Sequence, residues 1–185
     1  MENIIKEILQ KSKDERKIIG IRIYDNDDFF YSGYVQDFND EIVRIKHFTE
    51  YGKDDGIVFE RIENIENIEY DEDYYESLQY LVEINEKLEK SNINGFKYTF
   101  VGNWQFDILK MFVGKEIVVV IENYKKEKIL GIVNRVTEHE LVLNTIGNLG
   151  QDEGFSFYRL KDISSIQPDD LECRKRLFLH QWKKK

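Results

Sequence analysis

The sequence predicts an α+β protein, mainly β, made of two tandem copies of a five-stranded antiparallel barrel with a helix at each end. Three observations carry that prediction. Gly52-Lys53-Asp54-Asp55-Gly56 recurs as Gly150-Gln151-Asp152-Glu153-Gly154, an offset of 150 − 52 = 98. Sliding residues 18–68 onto 116–166 without a gap gives 11 identities in 51 positions, among them Gly33/Gly131, Arg61/Arg159, Ile65/Ile163 and Ile68/Ile166. Within each copy the apolar residues recur mainly with the period of two that marks a half-buried strand. Helical spacing appears only at the ends of each copy. The repeat divides the 185 residues into modules 1–92 and 93–185, each long enough for a modest core.

In the first copy, Glu2–Lys13 is a predicted helix, because Ile4, Ile5, Ile8 and Leu9 share one face. Ile19, Ile21 and Ile23 then alternate with Gly20, Arg22 and Tyr24 as a strand. Asp25–Asp28 is a turn, since Asp and Asn bond their own backbone. Phe29–Phe38 and Ile42–Phe48 are the next strands, joined through Asn39-Asp40. Gly52–Gly56 reads as a loop, followed by short strands Ile57–Arg61 and Asn64–Glu69. Asp71–Lys90 is a helix with acids at its start, where the dipole favours them. Ser91–Gly95, polar and containing Asn94-Gly95, is the expected boundary.

The second copy opens with a short amphipathic helix, Trp104–Phe112. Ile117–Ile121 is apolar on both faces and should be covered on both. Leu130–Val136, Leu141–Ile146, Phe155–Arg159 and Asp162–Ile166 repeat the other strands, and a last helix runs from Pro168 through Trp182. Five short, bent strands avoid open edges by curling into a small barrel. Gly33 and Gly131 sit mid-strand, where glycine permits a sharp bend.

Composition narrows the function classes. Apolar residues make up 41% and aromatics 14%, which describes a globular chain. Cys173 is alone, so no intrachain disulfide or multi-cysteine metal site is expected. No apolar run approaches the length of about 20 residues that a membrane span needs, and a cytoplasmic location is the default. The net charge of −9 is uneven. Residues 1–90 hold 12 basic and 24 acidic residues, a net of 12 − 24 = −12; residues 91–185 hold 15 and 12, a net of +3. An acidic first copy disfavours broad phosphate contact, which needs clustered cations.

Helix plus five bent strands with a mid-strand glycine resembles the Sm-like family. Gly33, Val35, Phe38, Asn39 and Ile42 follow the family's first motif, as do Gly131, Val133 and Val136 in part. The resemblance implies a small barrel over residues 17–69 and 115–167, and in the family this barrel contacts RNA. Val43 and Leu141 occupy the place of the RNA-contacting Asn. Arg61-Ile62 and Arg159-Leu160 stand where the family has Arg-Gly.

The acidic, tyrosine-rich run supplies the candidate partner-binding residues Tyr70, Asp71, Glu72, Asp73 and Tyr74, joined by Asp54 and Asp55 of the glycine loop. Tyrosine gives large contact area at low entropic cost, and carboxylates steer a basic partner. The expected function is therefore a non-enzymatic protein-binding module docking a basic protein, in the manner of an immunity or inhibitor protein. The alternative is an RNA binder using Arg61, Arg159, Arg174, Lys175 and Arg176. His47, His139 and His180 fall in unrelated contexts, and no nucleophile–base pair or metal-ligand spacing is present in the sequence. No cofactor or metal is expected, and a monomer or small homo-oligomer fits.

Overall fold

The structure is a computed structural model and describes residues 3–24, 30–91, 93, 97 and 102–185. The Asp25–Asp28 turn and most of the Ser91–Gly95 boundary lie outside the described residues. The chain divides into two compact units, Met1–Asn85 and Glu86–Lys185. No helix among the described residues is long and apolar enough to cross a membrane.

In the first unit, helix α1 (Ile4–Glu15) is capped by Asn3, whose side chain accepts the Lys6 N–H. It precedes β1 (Ile19–Ile23), β2 (Phe30–Phe38), β3 (Ile42–Phe48) and β4 (Asp54–Arg61). A 3-10 turn (Ile62–Asn64) then leads into β5 (Ile65–Glu69), and α2 (Asp73–Leu88) follows, with its last residues, 86–88, counted in the second unit. The five strands form one antiparallel sheet in the order β4-β3-β2-β1-β5. The second unit contains α3 (Trp104–Lys110), β6 (Val118–Asn123), β7 (Lys128–Val136), β8 (Glu140–Ile146), β9 (Asp152–Arg159), a 3-10 turn (Leu160–Asp162), β10 (Ile163–Pro168) and α4 (Leu171–Lys183). Its sheet runs β10-β6-β7-β8-β9, the equivalent order read from the opposite edge. Neither sheet closes by hydrogen bonding: β4 and β5 are free edges of one, β9 and β10 of the other.

The offset of 98 holds at the level of the backbone. Adding it to the bounds of β2, β3 and β4 reproduces those of β7, β8 and β9. The bulge at Val35/Asp37 recurs at Val133/Arg135, and that at Lys46/Phe48 recurs at Asn144/Ile146. Asp71 and Asp169 share a positive φ, 57° and 58°. Two glycine pairs show why the motif survives. A Cβ on Gly33 would lie 2.0 Å from the Lys46 carbonyl oxygen, and one on Gly131 would lie 2.5 Å from that of Asn144. Gly52 (φ 73°) and Gly150 (φ 77°) adopt the left-handed conformation while pressed against the backbone of α2 and α4.

Each sheet is covered on both faces. In the first unit, Leu9 of α1 packs with Ile19, Ile21, Val35, Val43, Ile45 and Ile65. On the opposite face Ile18 and Phe48 pack with Tyr75 and Leu78 of α2. In the second unit, Leu109 and Phe112 cover Val119, Ile121, Val133 and Leu143, while Cys173 and Leu177 of α4 cover Val118, Val120 and Leu130. The all-apolar run at Ile117–Ile121 is thus buried from both sides, as its composition predicts.

One core contact has been rebuilt between the copies. In the first unit the Tyr75 ring fills the space over Gly20, where a Cβ would fall 1.9 Å from the phenol oxygen. The counterparts, by the offset of 98, are Val118 and Cys173. A glycine under a large aromatic has become a valine under a small thiol, with the layer closed in both cases.

The glycine loop is shorter than its composition suggests. β4 begins at Asp54 and β9 at Asp152, inside the stretch that reads as a turn. Asp54 and Asp152 accept the N–H of Gly56 and Gly154 at 2.8 and 2.9 Å, which lets a positive-φ glycine sit within the strand.

Candidate partner-binding surfaces

The acidic, tyrosine-rich run is only partly at the surface. Tyr70 is exposed. Asp71 takes the left-handed turn into α2 and pairs with Lys17 and, at 3.7 Å, with Lys11; the Lys17 hydrogen bond holds its carboxyl below the usual carboxylate range. Glu72 follows, and Asp73 opens α2. Tyr74 is half-buried, edge-on to Phe30 at 6.1 Å and to Tyr75 at 5.1 Å, and burial pushes its phenol upward. Tyr75 is fully internal and donates to Glu69 at 2.6 Å, while Arg22 donates to the same carboxylate at 2.9 Å. The run therefore contributes two tyrosines to the fold's own packing, because helical spacing turns them toward β1 and β2.

The basic residues of α4 are spent inside the second unit. Arg174 donates to the Leu88 carbonyl at 2.6 Å and to the Asp169 carbonyl. Lys175 is buried beside Glu172 at 3.3 Å. Arg176 donates to the Ile146 carbonyl at 2.7 Å, to Glu172 at 2.8 Å and to Asn148. These three cations hold α4 and the β8–β9 loop in place and do not form an open basic face.

The first unit exposes a further set of side chains along one free edge, β4. Ile57 and Phe59 point outward, 44% and 67% exposed. Arg44 of β3 lies 5.7 Å from the Phe59 ring centre and supports it from the next strand. Asp54 and Asp55 stand at the start of this strand, with Asp54 paired to Lys46 and Asp55 3.5 Å from His47 Nε2. At its other end a groove of about 370 Å³ is lined by Asp40, Glu41, Ile42, Arg61 and Glu63. Arg61 is tied to Glu63 at 2.7 Å, and Asp40 to Lys6. Among the described residues Glu41 and Glu60 have no ion-pair partner, so the edge is acidic as well as apolar.

The second unit repeats the shape with other chemistry. Phe155 and Phe157 take the places of Ile57 and Phe59 and are 69% and 55% exposed. Arg159 repeats Arg61, but the counterpart of Glu63 is Lys161, and among the described residues Arg159 has no ion-pair partner. Arg61 and Arg159 thus occupy equivalent places, the first tied to Glu63 and the second beside Asp162 and across from Glu140 on β8.

The sequence points to Asp54, Asp55 and the two arginines but passes over Ile57, Phe59 and their counterparts. Val58 between them is equally apolar, so alternation alone cannot say which face of β4 is the core. Among the described residues no group of three or more His, Cys, Asp or Glu side chains could hold a metal ion. Comparison with protein-family models, with curated proteins and with solved structures returns no match.

Proposed function

We propose that the chain is a non-enzymatic binding protein of two Sm-like modules, and that the acidic first module docks a basic protein segment along β4. The helix, the five antiparallel strands and the mid-strand glycine of each unit support the Sm-like reading. The observation that carries the function is the β4 edge. An edge strand offers unpaired backbone groups to an incoming strand, and exposed apolar side chains on it mark a binding site. Here Ile57 and Phe59 supply contact area, while Asp54, Asp55 and Glu60 favour a cationic partner. Tyr70 and Glu72 add to the same acidic unit. The cations Arg174, Lys175 and Arg176, which an RNA-binding surface would need, are committed to internal bonds.

The test is a calorimetric titration of the full chain with a ten-residue peptide of alternating Lys and Val. Binding should weaken with salt and fall about tenfold in Phe59→Ala and in the double variant Asp54→Asn/Asp55→Asn. Equal binding by these variants, or tighter binding of oligouridine than of the peptide, would overturn the proposal.

A further inference from the structure

The charge difference between the copies extends to one groove of the second unit. It has a volume of about 480 Å³ and lies between β9, the β6–β7 turn and the start of β10. Tyr124, Lys125, Phe157, Arg159 and Asp162 line it. That volume falls within the range of about 300–1,000 Å³ typical of ligand pockets. Tyr124 is 71% exposed. Comparison at the offset of 98 gives Asp27 against Lys125, Asp28 against Lys126, Glu60 against Tyr158 and Glu63 against Lys161, with the arginine retained. At these positions four acids give way to three lysines and a tyrosine around a kept arginine, while Asp162 against Asn64 and Glu122 against Tyr24 add two acids.

The new cations are available. Lys126 is held by Glu122 at 2.9 Å, but among the described residues Lys125, Arg159 and Lys161 have no ion-pair partner. Two exposed aromatics stand beside them, and β9 hydrogen-bonds only to β8, so its outer backbone groups are open.

We propose that this groove binds an extended acidic peptide segment carrying an aromatic or large apolar side chain. The peptide main chain adds to β9; its carboxylates meet Arg159 and Lys125; its apolar side chain lies between Tyr124 and Phe157. A peptide fits better than a nucleic acid for two reasons. A free strand edge matches the alternating donors and acceptors of a peptide backbone. Asp162 within the groove and Glu122 beside Lys126 also interrupt the cations, whereas a phosphate chain needs an unbroken track. The proposal stands apart from the reading of the first unit, since it concerns other residues and a ligand of opposite charge.

Fluorescence anisotropy on the full chain tests it. The probe is a labelled ten-residue peptide with Glu at alternate positions and one central Phe. Arg159→Ala and Lys125→Ala should each weaken binding about tenfold, and Tyr124→Ala by a similar factor. Arg61→Ala, the matched change in the first unit, should leave it unaltered. All four positions are at the surface, and circular dichroism checks that each variant is folded. A peptide with Lys in place of Glu should not displace the labelled Glu peptide, and its own binding at β4 should be unchanged in Arg159→Ala. The proposal is overturned if the Glu peptide does not bind, if the Lys peptide displaces it, if oligouridine binds more tightly, or if Arg61→Ala matches Arg159→Ala.

Discussion

The rebuilt pair over β1 makes a prediction that can be worked through in detail. Gly20→Val in the first unit introduces a side chain whose first carbon already falls 1.9 Å from the Tyr75 oxygen and 2.4 Å from its ring carbon. The ring must move, and overpacking of this kind costs about 1–3 kcal/mol. Movement also breaks the 2.6 Å bond from Tyr75 to Glu69, a bond to a charged group worth roughly 1.5–3 kcal/mol. Tyr75→Cys alone empties the layer above Gly20, at about 3–5 kcal/mol by analogy with other aromatic truncations. The double variant Gly20→Val/Tyr75→Cys installs the second unit's own solution. Its cost should be at least about 2 kcal/mol below the sum of the single costs, a coupling within the range seen for residues in contact. Urea unfolding of the full chain, followed by far-UV circular dichroism, measures all four corners of the cycle. The two tryptophans, Trp104 and Trp182, both lie in the second unit and report on it separately by fluorescence. Additive single costs would refute the idea that the two copies solve one packing problem in two ways.

Three further outcomes are expected. Glu69 accepts from Tyr75 and from Arg22, and these bonds hold its carboxyl below the usual range. Its contribution is therefore present above about pH 4.3, the ordinary glutamate value, and is lost as pH falls through the lowered folded value. The stability gap between wild type and Glu69→Gln, about 1–2 kcal/mol at pH 7, should shrink at pH 3; a gap independent of pH would contradict this. Gly131→Ala places a Cβ 2.5 Å from the Asn144 carbonyl oxygen and should cost about 2 kcal/mol or more in urea unfolding. Burial pushes the Cys173 thiol up, so a thiol reagent should label the native chain slowly and the unfolded chain fast.

The duplication and the strands were readable because both leave periodic traces. The offset of 98 needs no structural knowledge, and β3 and β8 follow from alternation alone. The starts of β4 and β9 were hidden, since Asp54, Asp55 and Gly56 carry the composition of a turn and are held in the strand by an aspartate–glycine bond. The 3-10 turns were also hidden: Ile62 and Leu160 are as apolar as strand residues, and only the chain's reversal between strands distinguishes them. For the candidate site, the acidic run mixes residues at the surface, Tyr70 to Asp73, with Tyr74 and Tyr75, which α2 turns toward the sheet whatever the charge of their neighbours. The basic run on α4 misled because arginines reach distant carbonyls that a linear pattern does not reveal. The freedom of Arg159, by contrast, could be read by setting Glu63 against Lys161.

On the two proposals above, one doubled module offers two docking edges of opposite sign. A competition titration tests this most directly: the full chain is saturated with the Lys–Val peptide and then titrated with the Glu–Phe peptide, in wild type, in Asp54→Asn/Asp55→Asn and in Arg159→Ala. The account predicts two independent sites of one equivalent each, with the first variant losing only the basic peptide and the second only the acidic one. Displacement of one peptide by the other, or a variant that loses both while folded, would contradict it.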